Sequence, residues 1–140
     1  MRTAARAMLV TEFDRRRLEN LVVAMRERST LDHPRWAALE EELGRARVLE
    51  QAEVPADVVT MNSVVRLMDL DSQEERTITL SFPQAEGHAA DHVSVLSQLG
   101  LALLGSRERD ELEIPTASKP QRWRVLRVLY QPEAAGNFAR

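Results

Sequence analysis

From Thr11 to about Arg28 the apolar residues Leu18, Leu21, Val22 and Met25 recur at steps of three and four. This spacing places them on one stripe of a helix whose other faces carry Arg15, Arg16, Arg17, Glu19, Arg26 and Glu27. Thr11 followed by Asp14 imitates a capping box, with the shorter Asp in place of Glu. The segment Ser29 to Pro34 breaks the pattern, and Pro34 suits the first position of a second helix because its missing N–H would be unpaired there anyway. Trp36, Leu39, Leu43 and Ala46 then follow at coiled-coil seam spacing, with Glu41 four residues before Arg45 in the favourable order. A connection this short makes the two helices antiparallel neighbours, each expected to run about 17 residues, or about 25 Å at helical rise.

Val54 and Pro55 end the helical pattern, and strand periodicity takes over. Val64, Val65 and Leu67 predict a strand, Asp71 to Glu74 a turn, and Ile78, Leu80 and Phe82 alternate with Thr77, Thr79 and Ser81 as a second strand. Pro83 to Asp91 reads as a loop, Val93 to Val95 as a short strand, and Leu99 to Leu104 as a short buried helix closed by Gly105. Glu111 to Ile114 and Trp123 to Tyr130 predict two more strands around the Pro115 to Pro120 turn. The pattern therefore describes an α+β chain in two parts, a helical hairpin over 1–53 and a sheet with one short helix over 54–140.

Composition narrows the functional classes. The 140 residues are 44% apolar and 29% charged, with 19 basic against 22 acidic side chains and a net charge of −3. A mildly acidic chain repels phosphate backbones on average, which disfavours direct nucleic-acid binding. Six aromatic residues leave few platforms for stacking bases. The absence of cysteine excludes thiol catalysis and thiolate metal sites, and agrees with a reducing cytoplasm. Leu9 and its neighbours are too short an apolar run for a secretory signal, and no stretch approaches the roughly 20 apolar residues of a membrane span. A cytoplasmic protein without a membrane partner is expected.

The candidate chemistry is sparse. His88 and His92 stand four apart but lie in a predicted loop without a third ligand, so no metal site is expected. Gly100 and Gly105 imitate half of a phosphate loop, yet Ser106 and Arg107 stand where Lys and Ser or Thr are required and the residues between are apolar. Asp69 and Asp71 open like a calcium loop, but Glu74 occupies the glycine position and Leu80 the bidentate acid position. No nucleophile elbow and no nucleophile–base pair is visible. No catalytic residue and no cofactor is assigned. At the predicted hairpin tip Asp32, beside His33, either caps the second helix or presents a carboxylate to a partner.

Three blocks carry a resemblance: Val54-Pro55-Ala56-Asp57-Val58-Val59-Thr60-Met61-Asn62-Ser63; Val93 to Ser97 leading into Leu99-Gly100-Leu101-Ala102-Leu103-Leu104-Gly105; and Tyr130-Gln131-Pro132-Glu133-Ala134-Ala135-Gly136-Asn137-Phe138. Together they resemble the regulator of nucleoside diphosphate kinase family, relatives of the bacterial Gre transcription factors, over nearly the whole chain. The first and last blocks are specific to that family rather than to Gre factors at large. The resemblance implies an antiparallel coiled coil followed by an FKBP-like domain of the Gre C-terminal type, which binds RNA polymerase at the mouth of its secondary channel. Docking in Gre-like proteins uses the loop before the short helix, here Leu96, Ser97, Gln98 and Leu99, with Gln98 in place of the usual proline. Arg109 likewise replaces the usual turn glycine before Asp110.

Gre factors thread a much longer hairpin through the channel and present paired acids to the catalytic magnesium. The present arm is shorter and its predicted tip has one acid, so the expectation is a factor that docks and modulates or competes with Gre-like proteins without cleaving RNA. It would not be an enzyme, would influence nucleoside diphosphate kinase levels, and is expected to be a monomer. Gre-type transcript cleavage and FKBP-like prolyl isomerase activity are the alternatives; the second needs an aromatic-lined pocket that Phe82, Trp123, Tyr130 and Phe138 supply poorly.

Overall fold

The computed structural model describes residues 8–28, 34–83 and 91–137. The chain starts with a three-residue strand, β1 (Leu9–Thr11), and enters the long helix α1 (Glu12–Arg28) at once. Thr11 makes that transition, its Oγ1 accepting from the Asp14 N–H at 3.0 Å. Glu12 and Asp14 in the first turn and Arg26 and Arg28 in the last complement the helix dipole. The helix α2 (Pro34–Arg45) returns antiparallel, burying Leu39 and Leu43 against Leu18, Leu21 and Val22. Arg26 forms an ion pair with Glu40 across the two helices and stacks over the Trp36 ring.

The second helix is shorter than its seam spacing predicts, 12 residues instead of about 17. After Gly44 and Arg45 the backbone leaves the helix and Arg47 donates its N–H to the Met8 carbonyl at 2.8 Å. This contact opens a parallel pair between β1 and β2 (Arg47–Leu49). Glycine lowers helix stability by about 1 kcal/mol relative to alanine, and inter-strand pairing takes over where propensity is weakest. The two legs of the hairpin are therefore stitched together at their base.

The rest of the chain forms a five-stranded sheet in the order β5-β4-β3-β7-β6, from β3 (Val64–Asp69), β4 (Glu75–Ser81), β5 (His92–Ser94), β6 (Glu111–Ile114) and β7 (Gln121–Tyr130). Neighbours run antiparallel except β5, which joins β4 in parallel. Alternation puts Val65, Leu67, Ile78, Leu80, Leu112, Trp123 and Val125 on one face, under the short helix α3 (Gln98–Leu103) with its buried Leu103. Each such side chain contributes roughly 2 kcal/mol through burial. The same hydrophobic cluster continues through Met8 and Val10 into the inner faces of α1 and α2, so hairpin and sheet share a core.

Candidate functional site

The corner ahead of α3 is built by serines. Ser94 Oγ accepts from the Leu96 N–H at 3.0 Å, and the Ser94 carbonyl accepts from the Ser97 N–H at 3.0 Å and from the Ser97 hydroxyl at 2.7 Å. Ser97 then caps α3, its Oγ accepting from the Gly100 N–H at 3.0 Å. Gly100 is required here: a Cβ would lie 1.9 Å from the Ser94 carbonyl oxygen. The result is a rigid turn that buries Leu96, leaves Ser97 and Leu99 half-buried, and exposes Gln98. Of the two leucines, Leu96 is the core residue. Gln98 also lines a shallow groove of about 250 Å³ between α3 and the end of β6, to which Glu42 of α2 contributes an edge.

At its other end α3 meets the base of the hairpin. Gly105, with φ of +82°, donates its N–H to the Val59 carbonyl at 2.9 Å. A Cβ there would lie 2.7 Å from the Leu9 backbone nitrogen, so glycine lets β1 lie directly on the corner.

The root of the hairpin holds a buried polar joint. Thr60 to Ser63 form a tight turn with Ser63 N–H on the Thr60 carbonyl at 3.1 Å and Asn62 at φ +68°, a conformation asparagine tolerates. The turn presents the Met61 N–H to Asp14 Oδ2 at 3.1 Å, tying α1 to the sheet domain. Asp14 Oδ1 pairs with Arg17 at 2.5 Å, and the Arg17 guanidinium sits over the rings of Phe13 and Phe82 at 4.3 and 4.8 Å. On the far side of the turn the Thr60 hydroxyl donates to Glu133 Oε1 at 2.7 Å. Burial raises both carboxyls above their ordinary values. Arg17 opposes the rise at Asp14, and at Glu133 the Thr60 hydroxyl opposes it while the Asp14 charge adds to it.

Glu133 reaches this position because Gln131 anchors the segment after β7. Gln131 Nε2 donates to the carbonyls of Pro55 and Val58, each at 2.7 Å, and its Oε1 accepts from the Ala134 N–H at 3.1 Å. The first and last of the three sequence blocks are thus one structural unit.

Leu96, Ser97, Gln98 and Leu99 come together at the serine corner, whereas Asp32 and His33 lie outside the described residues, as does His88. Asp69 is a turn acid, its Oδ1 accepting from the N–H groups of Asp71 and Ser72. Gly100 and Gly105 bracket a packed helix. Arg109 does adopt the glycine conformation, with φ of +78°. The aromatic side chains are dispersed: Trp123 is in the core, Phe82 covers Arg17, and Tyr130 accepts from Asn137 at 2.5 Å. Asp14, Arg17 and Glu133 were not expected in a joint; Asp14 sits four residues before Leu18, on the apolar stripe itself, which is the signal that marks it.

A short helical hairpin seated on a curled sheet, with a serine-built turn ahead of one short helix, defines a Gre-type factor. Residues 54–130 match the family model "Transcription elongation factor, GreA/GreB, C-term", and residues 6–49 match "Rnk N-terminus". The "Regulator of nucleoside diphosphate kinase" of Escherichia coli K12 is 39% identical over 116 residues, covering 77% of this chain and 85% of that protein. The transcription elongation factor GreA of Desulfotalea psychrophila is 33% identical over 116 residues, covering 83% and 69%. A solved GreA/GreB elongation factor from Nitrosomonas europaea superposes with a TM-score of 0.72 at 36% identity, covering 89% of this chain and 99% of that one. The chain belongs to the regulator of nucleoside diphosphate kinase family, within the GreA/GreB group of transcription factors. Among the described residues no helix is long and apolar enough to cross a membrane.

Proposed function

We propose that the protein is a cytoplasmic transcription regulator that docks at the secondary channel of RNA polymerase through Leu96, Ser97, Gln98 and Leu99. In this reading, residues 1–53 are an arm and 54–140 an anchor. The arm occupies the channel mouth, modulating the enzyme or competing with longer Gre-like proteins without cleaving the transcript, and nucleoside diphosphate kinase levels respond through transcription. It acts as a monomer and needs no cofactor. The observation that supports this reading is the length of the arm: α1 has 17 residues and α2 has 12, about 25 and 18 Å at helical rise. The segment joining α1 and α2 also carries a single acid, Asp32, whereas holding a second catalytic ion calls for at least two ligands in one place.

Retention on purified core polymerase tests the docking. Wild type should be retained, and a variant changed together at Ser97, Gln98 and Leu99 should be lost; a variant that binds as well as wild type overturns the assignment. For the arm, stalled elongation complexes should keep their RNA length when the protein is added. Shortening that an Asp32→Ala variant fails to produce would restore the cleavage reading.

A further inference from the structure

We propose that the segment Gln131 to Asn137 is a strap that sets the direction of the helical hairpin, with Glu133 as its positioning residue. This assignment rests on the arm-and-anchor reading for its functional meaning but stands on its own geometry.

The Thr60 to Ser63 turn is the seat that receives α1, because its Met61 N–H carries the bond to the buried Asp14. A four-residue turn alone is a weak reference for a helix of 17 residues. Here it is held on two sides. From within, Asn62 N–H donates to the Leu80 carbonyl at 2.7 Å and Leu80 N–H to the Ser63 carbonyl at 3.0 Å, fixing the turn to β4. From without, Glu133 takes the Thr60 hydroxyl, which also contacts Ser63 Oγ at 3.0 Å. Glu133 is 8% exposed and Asp14 1%, so neither bond competes with solvent.

The strap is itself folded. Asn137 N–H donates to the Pro132 carbonyl at 2.8 Å, Gly136 N–H to the Glu133 carbonyl at 3.2 Å, and the Gln131 side chain spans the backbone of Pro55 and Val58. Two further observations separate it from docking. The match to the Gre C-terminal model ends at residue 130, one residue before the strap begins. Among the described residues no side-chain bond of the strap goes to the corner at Ser94 to Gly100: Glu133 bonds the seat at Thr60, Gln131 spans Pro55 and Val58 just ahead of it, and Asn137 bonds Tyr130. Its chemistry is therefore directed at the angle between the two parts. An arm held at one angle loses less conformational freedom on entering a channel than one that swings.

The chain has no cysteine, so Glu27→Cys at the exposed end of α1 and Arg76→Cys on exposed β4 give a unique pair for spin labels. Double electron–electron resonance on the labelled full chain should yield one narrow distance distribution. Glu133→Ala should broaden it roughly twofold, whereas Glu133→Gln, which keeps an acceptor for Thr60, should restore the narrow peak. Thr60→Val should match Glu133→Ala, and circular dichroism should report an intact fold in all four proteins. A narrow peak in folded Glu133→Ala overturns the proposal, as does broadening that appears only with loss of the sheet signal, or a Gln variant as broad as Ala. The functional reading is checked separately on polymerase. Glu133→Ala should be retained like wild type but compete with a Gre factor about tenfold less well, through the lost preorganisation. Broadening without loss of competition would keep the strap and overturn the channel reading.

Discussion

The two ends of α1 use charge in opposite ways. Near its root, Asp14 is buried and accepts from the Met61 N–H of the sheet domain, and Arg17, paired with Asp14, is packed between Phe13 of the helix and Phe82 of the sheet domain. Three turns further on, Arg26 and Glu40 pair across the hairpin at 49% exposure each, and Val23 beside them is also open to water. A charge pair in water adds little to stability, and the shaft is held by Leu18, Leu21, Val22, Leu39 and Leu43 underneath. A buried charge pair costs desolvation whether or not it is well placed, so its value is in specifying one geometry. The root encodes direction and the shaft encodes solubility.

Breaking the root should have the largest effect. Asp14→Ala leaves the Met61 N–H without its acceptor and Arg17 without its carboxylate, and denaturant unfolding should show a loss of about 4 kcal/mol. Gly100→Ala comes next, since the new methyl group would have to displace the Ser94 carbonyl; about 3 kcal/mol by thermal melting is expected, together with weakened polymerase retention. Removing the α3 cap with Ser97→Ala should cost about 1 kcal/mol in the same assay.

The root should also reveal itself in pH dependence. The folded-state values of Asp14 and Glu133 lie above the ordinary 3.8 and 4.5, so their contribution is fully present below those values and is lost as pH rises through the shifted ones. Glu12 behaves oppositely: bonds from Arg15 and Arg16 lower it to about 2, so its contribution is present above 4.5 and fades as pH falls. Stability compared between pH 4.5 and 7 should therefore decline more in wild type than in an Asp14→Asn, Glu133→Gln variant; equal slopes would remove the buried-charge account. The smallest effect belongs to the shaft, where Arg26→Ala should change stability by about 0.5 kcal/mol or less and the difference should shrink in high salt.

Much of this architecture is legible in the sequence because periodicity reports burial. The α1 stripe, the alternation of β4 and the apolar run of α3 each follow from one buried face. Strands β1 and β2 escaped because each adjoins a helical stripe: Leu9 to Thr11 run straight into α1, and Leu49 sits three after Ala46, so Arg47 to Leu49 read as more helix. The serine corner was legible only through resemblance, since Ser94, Ser97 and Gly100 act by backbone geometry and leave no hydrophobic trace. The joint was obscured by residue type. Asp14 and Glu133 read as solvated acids, and only the long-range contacts, across 47 and 73 residues, turn them inward.

Those separations carry a consequence for the order in which the molecule folds. Asp14 finds its acceptor-seeking amide 47 residues on, β1 lies against Gly105, and the partner of Thr60 is Glu133, 73 residues away. Contacts this distant in sequence close large loops, so the joint at the root forms more slowly than the hairpin packed on it.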